Sequence, residues 1–371
     1  MRKIMILGAG NAQIDAIQYC KSRGWEVHAC SYTTADHGIR YLDRFVQIDI
    51  KDKAAVAAYA RRAGVEAIYS VGSDLAMPTV MAASEQLGLP HFLSSEAAAV
   101  CQSKYRMRQA LGTDFTGNIP FSVCSCLEEA LEHTAFPAMM KPVDSQGQRG
   151  CFRVDSTEDI RAHFAQSLGY SVEGKVILEQ FVDGPEISVN AYLAGGELKF
   201  AIVSDRIVYE DLPGGIIKEH LLPSRAASPE VQRAAVEITR AAMERLHIAD
   251  GPVYVQLKLD GGVRPVILEV TPRLDGCHMW NLIYHYCHVN LLDAAFTHLM
   301  DGTVPDLTPR PEAGNWKLSF LCQKPNLPYH HGDYDVSKAR YLFWYYAEDE
   351  VVYPLNGYME KGGYQILCDL D

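Results

Sequence analysis

The stretch Met139-Met140-Lys141-Pro142-Val143-Asp144-Ser145-Gln146-Gly147-Gln148-Arg149-Gly150 decides how this chain is read. An apolar strand ends in a lysine and hands over to a loop holding two glycines, a serine and an arginine. Backbone N–H groups in such a loop can surround a phosphate while the cations balance its charge. Gly-Lys-Ser/Thr is missing, so the loop is not of the Walker type. Taken alone, the same residues also suit an exposed hairpin turn, and the flanking sequence has to decide.

On the N-terminal side, residues 1–100 alternate strand and helix. Apolar runs at 3–7, 26–31, 45–48 and 67–71 read as strands, and 12–23, 53–63 and 75–87 as helices, each followed by a glycine. Strands joined through helices of this length pair in parallel with right-handed crossovers. The fold class is therefore α/β, led by a doubly wound parallel-sheet domain over 1–100. An α+β unit follows over 101–185, with strands at 138–141, 151–154 and 176–180 and helices at 127–133 and 157–166. A third unit, 186–314, holds strands at 186–193, 199–208, 253–259 and 265–270, the last two joined across Asp260-Gly261-Gly262. Its helices are read at 229–246 and 289–300. Residues 315–371 form a small strand-rich C-terminal region with turns at Asn356-Gly357 and Gly362-Gly363.

Composition narrows the function classes. The chain has 371 residues, 48% hydrophobic and 22% charged, and a net charge of −12. That excludes a disordered chain, a coiled coil and a collagen-like repeat, and gives no overall basic surface for nucleic acid. No apolar run reaches membrane-spanning length, and residues 4–7 are too few for a signal-peptide core. Ten cysteines without a CxxC pair read as reduced thiols of a cytoplasmic protein rather than as disulfides or a zinc site.

Two further stretches carry chemistry. Ile177-Leu178-Glu179-Gln180-Phe181-Val182-Asp183-Gly184-Pro185-Glu186 runs from a strand through a short linker to a second carboxylate. Val255-Gln256-Leu257-Lys258 pairs with Leu268-Glu269-Val270-Thr271-Pro272-Arg273. That hairpin brings Gln256, Glu269 and Thr271 together as oxygen donors, a set suited to Mg²⁺ carried in by phosphates. Glu269 and Thr271 share a strand face, and Arg273 joins them if the strand persists. Gly8-Ala9-Gly10-Asn11-Ala12-Gln13 has the context of a dinucleotide fingerprint, but Gln13 stands at the third glycine and no acid ends the second strand. His278, His285 and His288 read as a substrate-pocket wall or core histidines rather than zinc ligands, because no Cys or acid has ligand spacing with them. The aromatic run 341–346 reads as core.

Together, Lys104, Lys141, the 144–150 loop, Glu179 to Glu186, Gln256 and Glu269-x-Thr271-x-Arg273 resemble the ATP-grasp superfamily. The resemblance is to carboxylate–amine ligases and the synthetase units of carbamoyl phosphate synthetase, and it covers nearly the whole chain. It implies a two-part ATP-grasp clamp split into a nucleotide-binding and a catalytic subdomain. It implies that Lys104 and Lys141 contact ATP phosphates and that Ser145, Gly147, Arg149 and Gly150 close over them. Glu179 with Phe181 and Val182 would meet the adenine, and Glu186 the ribose. Gln256 and Glu269 would bind Mg²⁺ or Mn²⁺, with Thr271 at a position where an Asn is usual. Arg273, with Lys141, would act on the transferring phosphoryl group, and His220 would reach phosphate. The implied activity is ATP-dependent activation of a small carboxylate as an acyl phosphate and its ligation to an amine. The expected partners are ATP and these two small molecules, with no nucleic acid or membrane, and with a homodimer as an allowed assembly. A nicotinamide-dependent oxidoreductase would rest on residues 8–10 alone and leave 140–273 unexplained. A non-catalytic ATP-binding protein would rest on the Thr271 departure alone.

Overall fold

A computed structural model describes residues 1–145, 149–212, 215–355 and 357–369. Four parallel strands open the chain: β1 (Lys3–Leu7), β2 (Glu26–Ser31), β3 (Arg44–Gln47) and β4 (Ala67–Tyr69), in the order β3-β2-β1-β4. Crossover helices Ile14–Ser22 and Lys53–Ala63 join them. The second helix begins and ends where its sequence says. The Asp52 side chain accepts from Ala55 N at its start, and Gly64 takes φ 67° just past its end.

The second sheet holds β5 (Phe121–Cys124), β6 (Ala138–Pro142), β7 (Phe152–Val154) and β8 (Val176–Gln180), all antiparallel, in the order β5-β8-β6-β7. Helix Thr157–Leu168 packs Ile160 and Phe164 against Met140, Val154, Val176 and Leu178. Alternating burial along β6 leaves Met139 and Lys141 on the opposite face from Met140.

The third sheet has eight strands. They are β9 (Glu186–Ala194), β10 (Glu197–Val208), β11 (Ile217–Leu222), β12 (Gly251–Asp260), β13 (Arg264–Thr271), β14 (Asn315–Gln323), β15 (Tyr341–Trp344) and β16 (Glu360–Asp369). Their order is β13-β12-β9-β10-β11-β14-β16-β15, every neighbour antiparallel. The strands after residue 314 thus extend the central sheet through β11 and β14. Their core is also shared: one apolar cluster runs from Ile4 and Val27 through Phe296 to Leu318, Tyr345, Tyr364 and Ile366. Tyr345 and Tyr346 are buried in it, as expected of the aromatic run. Among the described residues, no helix is long and apolar enough to cross a membrane.

Candidate active site

A cleft of about 430 Å³ opens between the second and third sheets. Its apolar end is formed by Ile119, Met139, Phe181, Val182 and Leu268. Val182 packs there with Ile119 and Val266. The Arg153 guanidinium lies 4.5 Å from the Phe181 ring centre. Lys258 Nζ donates to Val182 O at 3.3 Å. The result is an apolar slot with cations at its rim, suited to a flat aromatic base.

The charged wall is built on Glu179, which is 1% exposed. Its Oε2 accepts from Lys141 Nζ at 2.6 Å and its Oε1 from Arg108 Nε at 2.7 Å. Burial alone would raise the Glu179 pKa, but Arg108 and Lys141 outweigh it and hold the carboxyl at about 2. Arg108 is fully buried and also donates to Ile267 O at 2.6 Å, so it ties the nucleotide-side sheet to β13. Glu179 was expected at the adenine. Both its oxygens are instead taken by cations, and its carboxylate holds Lys141 at the cleft.

Lys104 begins helix Lys104–Leu111, whose N-cap is Ser103. Its Nζ donates to Ser145 O at 2.7 Å and its backbone N–H to Val143 O at 2.9 Å. Lys104 and Ser145 both line the cleft, at the root of the glycine-rich loop. Gly147 lies outside the described residues. Arg149 is exposed, and Gly150 is buried with φ 71°. A Cβ at Gly150 would come within 2.8 Å of Tyr170 and 3.0 Å of Pro142, so this end of the loop requires glycine.

Across the cleft, β9, β12 and β13 lie side by side. Glu186 accepts from Gln256 Nε2 at 2.9 Å and from Arg206 on β10. Gln256 stands opposite Glu269, and the β12–β13 register shifts immediately after it. That irregularity opens the ladder beside this pair of residues. Glu269 lines the cleft and has no hydrogen-bond or ion-pair partner among the described residues. Gln256 and Glu269 are thus brought together as expected. Thr271 is not. It is 4% exposed, donates its hydroxyl to Tyr254 O at 3.0 Å and does not line the cleft, which removes it from the metal-ligand set.

β13 stops at Thr271, so strand alternation does not carry Arg273 to the site. A close backbone approach does. Gly72 N–H donates to Leu274 O at 3.1 Å, and a Cβ on Gly72 would come within 2.6 Å of Gly276. Arg273, 6% exposed, there meets Asp74, which lines the cleft. Burial would lower the arginine pKa, but Asp74 outweighs it and raises it. His220 is placed differently from its expected contact with phosphate. It lies fully buried on β11, outside the cleft lining, where burial pushes its pKa well below the usual value.

The three neighbouring histidines separate. His278 Nδ1 bonds Asp15 Oδ2 at 2.6 Å, and its Nε2 bonds the Tyr345 hydroxyl. His285 stacks on Trp316, and His288 bonds Glu312 at 2.7 Å on the surface. At the N-terminal glycines, Gln13 fills the turn. Its Oε1 accepts from Gly10 N–H at 2.9 Å and its Nε2 donates to Val71 O. A dinucleotide pyrophosphate needs that space and those N–H groups. Arg108 and Arg206 escaped the sequence reading, and each is defined by a partner far along the chain.

Residues 134–280 match the ATP-grasp domain family model. The chain is 24% identical over 357 residues to carnosine synthase 1 of Mus musculus, covering 86% of this chain and 42% of that protein. It therefore spans less than half the length of that curated relative. Among solved structures it resembles the L-amino acid ligase of Bacillus licheniformis, with a TM-score of 0.83 at 17% identity over 100% of this chain and 94% of that one. It also resembles the biotin carboxylase domain of Hydrogenobacter thermophilus 2-oxoglutarate carboxylase, bound to MgADP and bicarbonate. There the TM-score is 0.82 at 13% identity over 100% of this chain and 86% of that one. Residues 134–280, which hold most of the cleft lining, thus match the ATP-grasp domain model, and the fold is shared with these solved structures over the whole chain.

Proposed function

We propose that this chain is an ATP-dependent carboxylate–amine ligase. The observation that carries the reading is the pairing of Gln256 with Glu269, a carboxylate without a partner among the described residues, in the cleft that Lys104 and Lys141 also line. A carboxylate in one cleft with two lysines suits a polyphosphate with its divalent cation. Carnosine synthase 1 and the L-amino acid ligase, to which the chain is similar, bear names that agree with C–N bond formation.

A carboxylate is a poor electrophile because its oxygen leaves badly. In the proposed reaction a carboxylate oxygen attacks the γ-phosphorus of ATP, and ADP departs with the bonding electrons. The amine nitrogen then attacks the acyl carbon and loses a proton. The C–O bond to phosphate breaks, and inorganic phosphate takes the electron pair. Lys104 and Lys141 would hold the phosphates, and Ser145, Arg149 and Gly150 would belong to the loop that excludes water from the acyl phosphate. Phe181 and Val182 would receive the adenine, and Glu186 the ribose after loosening from Arg206. Gln256 and Glu269 would hold Mg²⁺, which supplies charge neutralisation on the phosphate oxygens. Arg273 would support the transferring group from the edge of the cleft. An enzyme using ATP and carrying ten free cysteines suits the cytoplasm.

The test is ADP formation from purified chain, ATP and Mg²⁺ against a matrix of small carboxylates and amines. Release that requires one carboxylate and one amine together supports the proposal. ATP turnover indifferent to both would contradict it.

A further inference from the structure

Behind Arg206, strands β10, β11 and β16 and the loop after Arg273 bring together a group of polar side chains, several of whose buried polar atoms have no hydrogen-bond partner among the described residues. His220 is completely buried, and neither ring nitrogen has a hydrogen-bond partner of good geometry among the described residues. Asp275 accepts from Met279 N–H through Oδ1 at 3.1 Å, while its buried Oδ2 has no partner among the described residues. Arg206 Nε is buried without one as well. Lys361, from β16, has no ion-pair partner among the described residues. Its Nζ lies 3.5 Å from Cys277 Sγ and 3.7 Å from the Phe320 ring centre. Ligating atoms of His220, Asp275 and Cys277 lie within 4.8 Å of one another. Folded proteins leave few buried polar groups unpaired, and several in one place call for a ligand that pairs them.

The chemistry of these groups defines that ligand. Lys361 and a neutral imidazole N–H are donors and suit a carboxylate. Asp275 Oδ2 is an acceptor and suits an ammonium. A divalent metal fits the His–Asp–Cys set by residue type, but Lys361 stands directly against the thiol and the Arg206 guanidinium flanks the imidazole. Two cations so placed repel a dication and attract an anion. We infer that this cluster of side chains binds the zwitterionic head group of an amino acid, its ammonium on Asp275 and its carboxylate on Lys361 and His220. Neither His220 nor Lys361 lines the nucleotide cleft, so a carboxylate held by them is not the one presented to ATP. The amino acid is therefore the amine substrate. This assignment rests on the ligase reading and names one of its two substrates.

The experiment uses the whole chain, with and without a non-hydrolysable ATP analogue. Saturation-transfer NMR is run against a mixture of the common proteinogenic amino acids and β-alanine. The strongest responder is then titrated by calorimetry beside its decarboxylated amine and its desamino acid. We expect the amino acid to bind and each truncated analogue to bind roughly tenfold or more weakly. Lys361→Met should weaken the amino acid by about as much and leave the decarboxylated amine unchanged. Asp275→Asn should weaken the amino acid and leave the desamino acid unchanged. ATP-analogue affinity should survive Lys361→Met. Binding of the analogue with no response from any amino acid would overturn this inference and leave the ligase reading standing. Failure to bind the analogue at all would strike the ligase reading itself. Zinc retained through dialysis and lost in Cys277→Ser, with no amino-acid response, would make the cluster a metal site and overturn the assignment.

Discussion

Arg273 grips Asp74 through two parallel hydrogen bonds, Nε to Oδ1 at 2.7 Å and NH2 to Oδ2 at 2.6 Å. The pair joins the end of β13 to the loop after β4, and its carboxylate faces the cleft. A guanidinium matches the planar geometry of a carboxylate and of a phosphate equally well. Asp74 therefore holds Arg273 in place at the edge of the cleft, and the proposed reaction would have Arg273 share its charge with phosphate oxygens.

Arg273→Ala should separate chemistry from nucleotide binding. We expect turnover to fall by roughly 10²-fold or more and ATP affinity to change by less than about tenfold. ADP release and calorimetry measure the two. Near-normal turnover would remove Arg273 from the mechanism, and loss of ATP binding in a folded variant would move it to the nucleotide shell.

Glu269→Ala tests the proposed cation site. The carboxylate has no ion-pair partner among the described residues, so urea unfolding should shift by no more than about 0.5 kcal/mol. Phosphate release should drop by at least about 10²-fold. A variant that turns over normally with the right substrates would show that the cation is held elsewhere.

Acid should weaken the fold through Glu179. Its folded pKa, about 2, lies below the ordinary value of 4.5. A depressed carboxyl pKa stabilises the fold above the unfolded value, and that contribution is lost as pH falls from about 4.5 through about 2. The contribution is roughly 3 kcal/mol on this linkage. Urea midpoints measured across that window should fall steeply for the wild-type chain and less steeply for Glu179→Gln. Equal slopes would mean that Arg108 and Lys141 do not hold the carboxylate as described.

Gln13→Ala should destabilise the first sheet without creating a dinucleotide site. It leaves Gly10 N–H and Val71 O unpaired, which costs about 1–3 kcal/mol. NADH fluorescence should be unquenched by wild type and variant alike. Quenching by the wild type would contradict the role given to Gln13.

Legibility in the sequence followed the distance over which each feature is encoded. Helix Lys53–Ala63 was readable because Asp52 and Gly64 cap it from adjacent positions. Strand β8 was readable because it opens on the β-branched and apolar run Val176-Ile177-Leu178. Strand β11 was missed: Lys218, Glu219 and His220 interrupt its pattern, and its partners β10 and β14 are supplied by segments on either side. The pairing of β11 with β14, about a hundred residues on, also hid the merging of the C-terminal strands into the central sheet. In the site, Lys141, Gln256 and Glu269 were legible as polar residues on otherwise apolar strands. Arg108 was not, because helix Lys104–Leu111 carries three other charged or amide side chains and reads as a solvated face. Its meaning depends on Glu179, 71 positions later. Arg206 and Lys361 were hidden for the same reason, since their surroundings come from the neighbouring strands and a distant loop.

Oxygen transfer tests the central claim most directly. If the carboxylate is activated as an acyl phosphate, one of its oxygens must leave with the phosphate. The carboxylate identified by ADP release, labelled with ¹⁸O in both oxygens, is turned over with ATP and the amine, and the released phosphate is read by ³¹P NMR. The account predicts one ¹⁸O in each phosphate formed. Phosphate free of label, with the amide product accumulating, would contradict it.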